Sequence, residues 1–375
     1  MILKIPVPGA SSANALASWL GYCRAGFEAD LAAEFIALAD AKPVAFAATP
    51  LSGYVHVTFA GRDAKKAASR LMWPKMVFAR QFLRAQTETI ALPTNDRVTP
   101  ILDAANMYLS ASGVGQVNAL RIEYPDTNEG KALSKLSQML ETRVGSQLAG
   151  AGLIDDRNMV LPTLHVLLTP ERQAMLGLSD PVASSPWRNG IPRLRMPRDA
   201  PSRSTLKLAE AFHIFLGENE ERLLQSEMRA VDLGAAPGGW TWQLIHRGLH
   251  VTAIDNGVLR GELVDNALVR HLREDGFRYR PRKPVDWMVC DMVEQPVRIA
   301  TLVAMWMREG WTERCIFNLK LPMKKRFEEV ERCRAIVRAA LEKNGRPFEL
   351  RIKQLYHDRE EVSGFCRFIP RSERA

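Results

Sequence analysis

The 375-residue chain has no apolar run approaching 18 residues, so nothing in it reads as a membrane span. Its first residues, Met1-Ile2-Leu3-Lys4-Ile5-Pro6-Val7-Pro8-Gly9, hold two prolines and no apolar core, which argues against a secretory signal. Cysteine is scarce: Cys23, Cys290, Cys315, Cys333 and Cys366 are odd in number and form no C-x-x-C. That usage excludes a disulfide framework or a zinc knuckle and suits a reducing cytoplasm. No cluster of His, Cys and Glu suggests a metal, so none is expected. G-x-G-x-x-G and the Walker lysine are both missing, which excludes the common dinucleotide and nucleoside-triphosphate loops.

What is present is basic charge, and it is uneven. Residues 1–186 hold 17 basic and 16 acidic side chains and residues 187–375 hold 34 and 26, so the net charge of +9 divides as +1 and +8. A basic C-terminal half suggests a polyanionic substrate there.

The chain is organised around Val231-Asp232-Leu233-Gly234-Ala235-Ala236-Pro237-Gly238-Gly239-Trp240. A buried strand ends here, three residues forbid a regular element, and a helix starts at Trp240. Strand, glycine turn and helix make one crossover of an α/β sheet. The free N–H groups at a helix start favour a carboxylate or other anion, and glycine lets a ligand approach the backbone. Asp255 ends the next apolar strand, at the spacing of about 20 residues where a carboxylate meets ribose hydroxyls. Asp291 ends another, Val285 to Cys290. One Asp after a strand is equally a turn residue. Three at the carboxyl ends of parallel strands mark the edge where open α/β sheets bind ligands.

Asp-Leu-Gly-Ala-Ala-Pro-Gly-Gly-Trp resembles the S-adenosylmethionine loop of the FtsJ-like ribose 2′-O-methyltransferases. With Ser202-Arg203-Ser204-Thr205-Leu206-Lys207-Leu208-Ala209-Glu210-Ala211-Phe212 before it, the chain is similar over both halves to the RlmM-type bacterial enzymes, which methylate one cytidine ribose of 23S ribosomal RNA. The resemblance implies a Rossmann-like S-adenosylmethionine-dependent methyltransferase domain over 204–375. It also implies a THUMP-type RNA-binding module over 86–180, although the charge there is balanced and no aromatic platform is visible. The expected partner is 23S ribosomal RNA, free or in an assembly precursor, bound by a monomer.

Over residues 1–85 the order of elements suggests a ferredoxin-like α+β unit. A helix is expected from Phe27 to Ala41, with Leu31, Phe35, Ile36 and Leu38 as its apolar stripe. Strands follow over Gly53–Phe59 and Met76–Leu83, with a short helix over Asp63–Leu71 between them. His56 reads as structural. Beyond come a helix over Val98–Ser112, a strand over Gln116–Tyr124, a helix over Lys131–Leu148 and a strand over Leu161–Leu168. Pro181, Pro186, Pro192, Pro197 and Pro201 make residues 181–203 a semi-rigid linker. Arg188, Arg193, Arg195, Arg198 and Arg203 with Trp187 make it a candidate RNA track, against the plainer reading of a solvated connector.

In the last domain Ser204 reads as the N-cap of a helix buried through Leu206, Ala209, Phe212 and Leu216. Strands are expected over Ala230–Leu233, His250–Ile254, Val285–Cys290, Cys315–Leu319 and Glu349–Leu355, with Gly364–Ile369 as the edge.

A ribose 2′-hydroxyl is a poor nucleophile, so an enzyme must align it with the methyl group and help remove its proton. A lysine can act as base if burial or a second cation lowers its pKa. The family's Lys-Asp-Lys-Glu tetrad carries over as Lys207, Asp291, Lys320 and Glu361. Glu360 and His357 remain open for the fourth place. The role expected for Lys320 is the base, for Asp291 its orientation, and for Lys207 holding the ribose and depressing the pKa of Lys320. The resemblance also assigns Ser204, Ala236, Pro237, Gly238, Gly239, Asp255, Asp275 and Asp291 to S-adenosylmethionine. For Asp275 a simple Asp-Gly turn is the competing explanation.

No Pro-Pro-Tyr or Pro-Pro-Phe follows the fourth strand, and no Pro-Cys occurs, which argues against methylation of base amino groups or of cytosine C5. Cys290 reads as packed core. A non-catalytic assembly factor would not need Lys207, Asp291 and Lys320, and a small-molecule O-methyltransferase would not need the +8 charge.

Overall fold

The structure is a computed structural model that describes residues 16–370 and Glu373. The expectation for Met1–Gly9 lies outside the described residues. The chain divides into two units, one ending at Ile191 and the other starting at Pro192. Among the described residues no helix is long and apolar enough to cross a membrane.

The first unit runs β1 (Leu16–Tyr22), α1 (Glu28–Ala39), β2 (Ala45–Ala47), β3 (Tyr54–Ala60), α2 (Gly61–Arg70), β4 (Gln81–Ala85), β5 (Ile90–Ala91), α3 (Val98–Ala111), β6 (Ala119–Glu123), α4 (Asn128–Lys131), α5 (Ser134–Gly150), β7 (Thr163–Thr169) and β8 (Gln173–Ser179). One sheet in the order β2-β3-β1-β4-β8-β7-β6 spans both expected N-terminal subdomains, with β5 pairing β8. The first part is a ferredoxin-like α+β arrangement. Helix α1 buries Leu31, Ala32 and Phe35, but Ile36 is exposed and the expected stripe is one residue off. Residues 76–79 are buried without forming a strand. The Glu34 carboxylate takes the amides of Val77 and Phe78, the second at 2.9 Å, so they are withdrawn from the sheet ladder. His56 bonds the Gln86 carbonyl at 3.1 Å.

The Pro/Arg-rich segment is not a uniform linker. Ser184, Ser185, Asn189 and Ile191 are buried. The Gln81 side chain donates to the Ser185 carbonyl and accepts from its amide, and the Asn189 amide donates to Glu123 at 2.7 Å. A Cβ at Gly190 would lie 1.9 Å from the Arg80 carbonyl oxygen. Arg188 pairs with Glu141, and Trp187 stands edge-on to Trp73 at 6.0 Å. Trp187 is therefore committed to packing, whereas the ion-paired Arg188 side chain stays exposed. Arg193, Arg195 and Arg198 are exposed.

The second unit runs α6 (Ser204–Phe215), α7 (Glu220–Leu223), β9 (Arg229–Leu233), α8 (Gly239–Ile245), β10 (His250–Ile254), β11 (Val269–Leu272), β12 (Val285–Cys290), α9 (Pro296–Arg308), β13 (Thr312–Lys320), α10 (Arg326–Lys343), β14 (Phe348–Lys353) and β15 (Glu361–Phe368). Its sheet has the order β11-β10-β9-β12-β13-β15-β14. Strands β9 to β13 are mutually parallel, while β15 runs antiparallel to β13 and β14. From β9 the chain winds one way to β10 and β11; from β12 it winds the other way to β13. Right-handed crossovers then put α8 and α9 on opposite faces, as in a Rossmann-like α/β sheet. The switch point lies between β9 and β12, and ligands bind outside the carboxyl ends there. Phe212, Trp240, Trp287, Trp306, Phe317 and Phe365 are fully buried in this unit.

Three expectations need correction here. Ser204 is the first helical residue of α6 rather than its cap; Arg203 holds that position without a side-chain cap. The buried face of α6 is Leu208, Ala211, Phe212 and Phe215, whereas Leu206 and Ala209 are only half-buried. Finally, β15 is interior and β14 is the edge, because the last hairpin folds back between β13 and solvent.

Candidate active site

Gly234 and Gly238 have φ of 82° and 114°, a region that disfavours any side chain. Their missing Cβ atoms make room for the protein itself. A Cβ at Gly234 would lie 2.7 Å from Met292, one at Gly238 2.1 Å from Leu263, and one at Gly239 2.2 Å from the Ser204 hydroxyl. At these three glycines the loop is thus clasped by α6, by the turn after β12 and by Leu263 rather than left open. Ser204 shares a 2.7 Å hydrogen bond with Ser202.

Two carboxylates fix the loop from beneath. The Ala236 amide donates to Asp255 at 3.0 Å, and the Gly257 amide donates to the other oxygen at 2.7 Å. Each oxygen keeps a lone pair for a further donor. Asp232 is fully buried and accepts from the Thr241 hydroxyl at 2.7 Å, while its second oxygen has no hydrogen-bond partner. Burial pushes its carboxyl up to about 7 against the opposing Thr241 bond. Asp275 caps its own turn by accepting from the Phe277 amide at 2.8 Å and remains exposed. A Cβ at the neighbouring Gly276 would meet Met292 at 2.8 Å, which places that turn beside Asp291.

Beside the loop, four charged groups converge. Lys320 ends β13 and faces Glu361, which begins β15, in the antiparallel register. Asp291 follows β12, and Lys207 lies one turn into α6. Lys320 donates to Asp291 at 3.3 Å and also to Glu361. Lys207 pairs with Glu361 and stands 3.8 Å from Asp291. Burial alone would lower the Lys320 pKa, but Asp291 and Glu361 outweigh it and hold the ammonium above its ordinary range. Burial alone would raise Glu361, but Lys207 and Lys320 hold it below the usual carboxylate range. The expected depression of Lys320 by Lys207 is therefore not present, because two carboxylates compensate two lysines.

The quartet rests on polar groups that the sequence reading passed over. Asn318, on the same face of β13 as Lys320, donates to Asp291 at 2.9 Å. Its carbonyl accepts from Ser363 at 2.7 Å. Ser363 lies 3.2 Å from the buried Asp358, which also accepts the Leu355 amide at 3.0 Å. Ser363 has one hydroxyl proton, and Asn318 takes it, so the contact with Asp358 is satisfied when Asp358 carries a proton. Burial pushes the Asp358 carboxyl well above its usual range, as does nearby Glu361. Glu210, also buried, accepts the amides of Tyr356 and His357 at 2.8 and 3.0 Å and bonds the His357 ring at 2.6 Å. It ties α6, and with it Lys207, to the loop before Glu361. An asparagine two residues before Lys320, in the otherwise apolar stretch Cys315–Leu319, was the available signal for this network.

Of the three acidic or imidazole candidates for the fourth position, Glu361 is the one that meets both lysines. Glu360 turns outward to Arg326 at 2.8 Å and His357 is held by Glu210, so neither joins the quartet. Glu361 does.

The residues present fit S-adenosylmethionine. A glycine loop at the switch point, a carboxylate in Asp255 with capacity to spare, and the unpaired oxygen of Asp232 behind the loop are what such a ligand needs.

Family models match at three places: the RlmM ferredoxin-like domain over residues 16–83, the N-terminal domain of ribosomal RNA large subunit methyltransferase M over 96–180, and the FtsJ-like methyltransferase over 200–344. Ribosomal RNA large subunit methyltransferase M of Thauera aminoaromatica is 49% identical over 95% of this chain and 97% of its own. The protein of the same name from Methylococcus capsulatus is 46% identical over 94% and 98%. Among solved structures, TrmN from Thermus thermophilus aligns with 94% of this chain and all of its own at 16% identity and a TM-score of 0.34, too loose a likeness to argue from. Glycine loop, carboxylates, lysine pair and full-length relatives agree: the chain belongs to the ribosomal RNA large subunit methyltransferase M family and is an S-adenosylmethionine-dependent methyltransferase.

Proposed function

We propose that this chain methylates the 2′-oxygen of a cytidine ribose in 23S ribosomal RNA, with Lys320 as general base. The observation that carries the reading is the convergence of Lys207, Asp291, Lys320 and Glu361 at the carboxyl ends of β12 and β13, beside the glycine loop. Ser204, Ala236, Pro237, Gly238, Gly239, Asp255, Asp275 and Asp291 bind the methyl donor.

S-adenosylmethionine supplies an activated methyl group and a positive sulfonium. The 2′-oxygen forms the new C–O bond as the C–S bond breaks, and its proton passes to Lys320 Nζ. Lys320 must be neutral at that moment. A ribose hydroxyl entering between Lys320 and Glu361 would take up a carboxylate that now stabilises the ammonium, and a neighbouring positive charge would push the lysine pKa down. Asp291, itself held by Asn318, keeps Lys320 aligned, and Lys207 holds the ribose. Residues 1–85 form a ferredoxin-like subdomain and 86–180 a THUMP-type RNA-binding subdomain. Exposed Arg193, Arg195 and Arg198, in the segment 181–203 leading to the methyltransferase domain at 204–375, contact RNA phosphates. The enzyme acts in the cytoplasm as a monomer, without a metal.

The test is to map ribose methylation in 23S RNA from cells with and without the gene. One cytidine 2′-O-methyl mark should vanish on deletion and return with the wild-type gene. An unchanged set of marks would refute the assignment.

A further inference from the structure

The connection between β11 and β12 contains no helix among the described elements. It packs instead against α9, with Tyr279 stacked on Trp306 at 6.4 Å and Phe277 under the Arg298 guanidinium at 4.5 Å. Between it and strands β9 to β11 lies a cavity of about 530 Å³. Arg229, Arg270, Arg280, Arg282 and Lys283 line it, with Glu274 as its one lining carboxylate.

Among the described residues none of these five side chains makes an ion pair, although the Asp286 carboxylate takes the Arg229 backbone amide at 2.9 Å. Arg229 donates to the Pro284 carbonyl at 3.0 Å. Arg280 donates to the Phe277 and Tyr279 carbonyls at 2.8 and 2.6 Å and lies over Trp311. Carbonyls fix these guanidinium groups in place and leave their charge available. Arg270, Arg282 and Lys283 are exposed and make no ion pair among the described residues. The cavity is not an extension of the quartet. Arg229 starts β9 and Leu233 ends it beside the glycine loop, about 13 Å apart at 3.3 Å per residue.

We propose that this cavity is a second RNA site, which grips the phosphodiester backbone of the ribosomal RNA away from the methylated nucleotide. Five cations against one carboxylate suit a repeating negative charge better than a single phosphate. The half-buried Tyr279 ring is already stacked on Trp306 and not free to stack on a base, so the site positions RNA without reading its sequence. The inference rests on the ribosomal-RNA reading above.

The test compares wild type with Arg270→Ala/Arg282→Ala/Lys283→Ala, all surface changes outside the methyl-donor site. Binding of 23S RNA fragments is measured across salt concentrations, alongside steady-state methyl transfer and S-adenosylmethionine affinity. The expected result is a log–log salt slope shallower by about 2, from about 0.7 per single-strand phosphate contact. KM for RNA should rise on the order of tenfold, with kcat and cofactor affinity unchanged. An unchanged slope and KM would overturn the proposal. So would loss of stabilisation by inorganic phosphate with the RNA slope intact, which would make this a small-anion site. If wild type binds RNA but transfers no methyl group, the catalytic reading fails while the binding comparison still decides this one.

Discussion

Lys320 is the proposed base, yet Asp291 and Glu361 hold it charged. In a neutral quartet of two lysines and two carboxylates, the ammonium is the stable form until substrate enters. Removing a positioned base typically costs about 10² to 10⁴ in rate. Lys320→Ala should lose that much in single-turnover methyl transfer while keeping cofactor affinity. Lys320→Arg should fail nearly as badly, because a guanidinium cannot release its proton in a protein. Lys207→Arg should be milder, since a fixed charge still holds the ribose. Wild-type turnover by Lys320→Arg would reduce Lys320 to an electrostatic clamp.

Asp358 separates the roles of charge and shape at the same scale. A protonated acid that donates to Ser363 can be replaced by an amide. Asp358→Asn should therefore keep near-wild-type kcat, whereas Asp358→Ala should lose at least about tenfold through misalignment of Asn318 and Asp291, with KM for the cofactor little changed. Equal loss in both variants would mean that Asp358 works as an anion. Asp232 yields a pH prediction. Its carboxyl titrates near 7 in the folded chain and about 3.9 when unfolded, so the stability tied to its neutral form is complete below pH 4 and is lost as pH rises towards 7. The Tm of wild type should therefore fall relative to Asp232→Asn across that window. A gap independent of pH would show that Asp232 does not titrate there.

Among the elements, the crossover of β9, glycine loop and α8 was legible in the sequence because an apolar run, three turn residues and an aromatic helix start occur together. Other elements were hidden. β11 is four residues, Val-Arg-His-Leu, at a sheet edge where no continuous apolar run is required. β1 interleaves Ser18 and Gly21 with Trp19 and Leu20; Gly21 is there because a Cβ would strike the Phe35 ring at 2.9 Å. The interior position of β15 depends on strand order, which no local pattern encodes. Of the quartet, Lys207, Asp291 and Lys320 fall within the FtsJ-like match, whereas Glu361 lies beyond it and was separated from Glu360 and His357 only by their partners. The joint between α6 and α8 is equally specific. Gly239→Ala would put a methyl group against Ser204, Ser202 and the Thr205 amide. Overpacking of this kind costs about 1–3 kcal/mol, and here it would also displace Ser204 and Lys207. Lower Tm with weaker S-adenosylmethionine binding by calorimetry is expected; an unaffected affinity would detach α6 from the cofactor site. In the segment before α6, Arg193→Ala/Arg195→Ala/Arg198→Ala should make RNA binding less salt-sensitive, with a log–log slope shallower by about 2 to 3 if each meets a phosphate. An unaltered slope would leave that segment a plain connector.

At the scale of the whole molecule, the unit that holds the quartet, residues 192–375, carries 33 basic and 26 acidic side chains, while residues 1–191 carry 18 and 16 and are close to neutral. A ferredoxin-like start and a full-length match to ribosomal RNA large subunit methyltransferase M proteins make both units part of one enzyme. The most direct test of the central claim is single-turnover transfer of labelled methyl from S-adenosylmethionine to 23S RNA by the purified full-length chain, with the product digested to nucleosides. Label in 2′-O-methylcytidine is expected with wild type, and a rate lower by about 10² or more with Lys320→Arg. Label on a base, or equal rates for the two proteins, would contradict it.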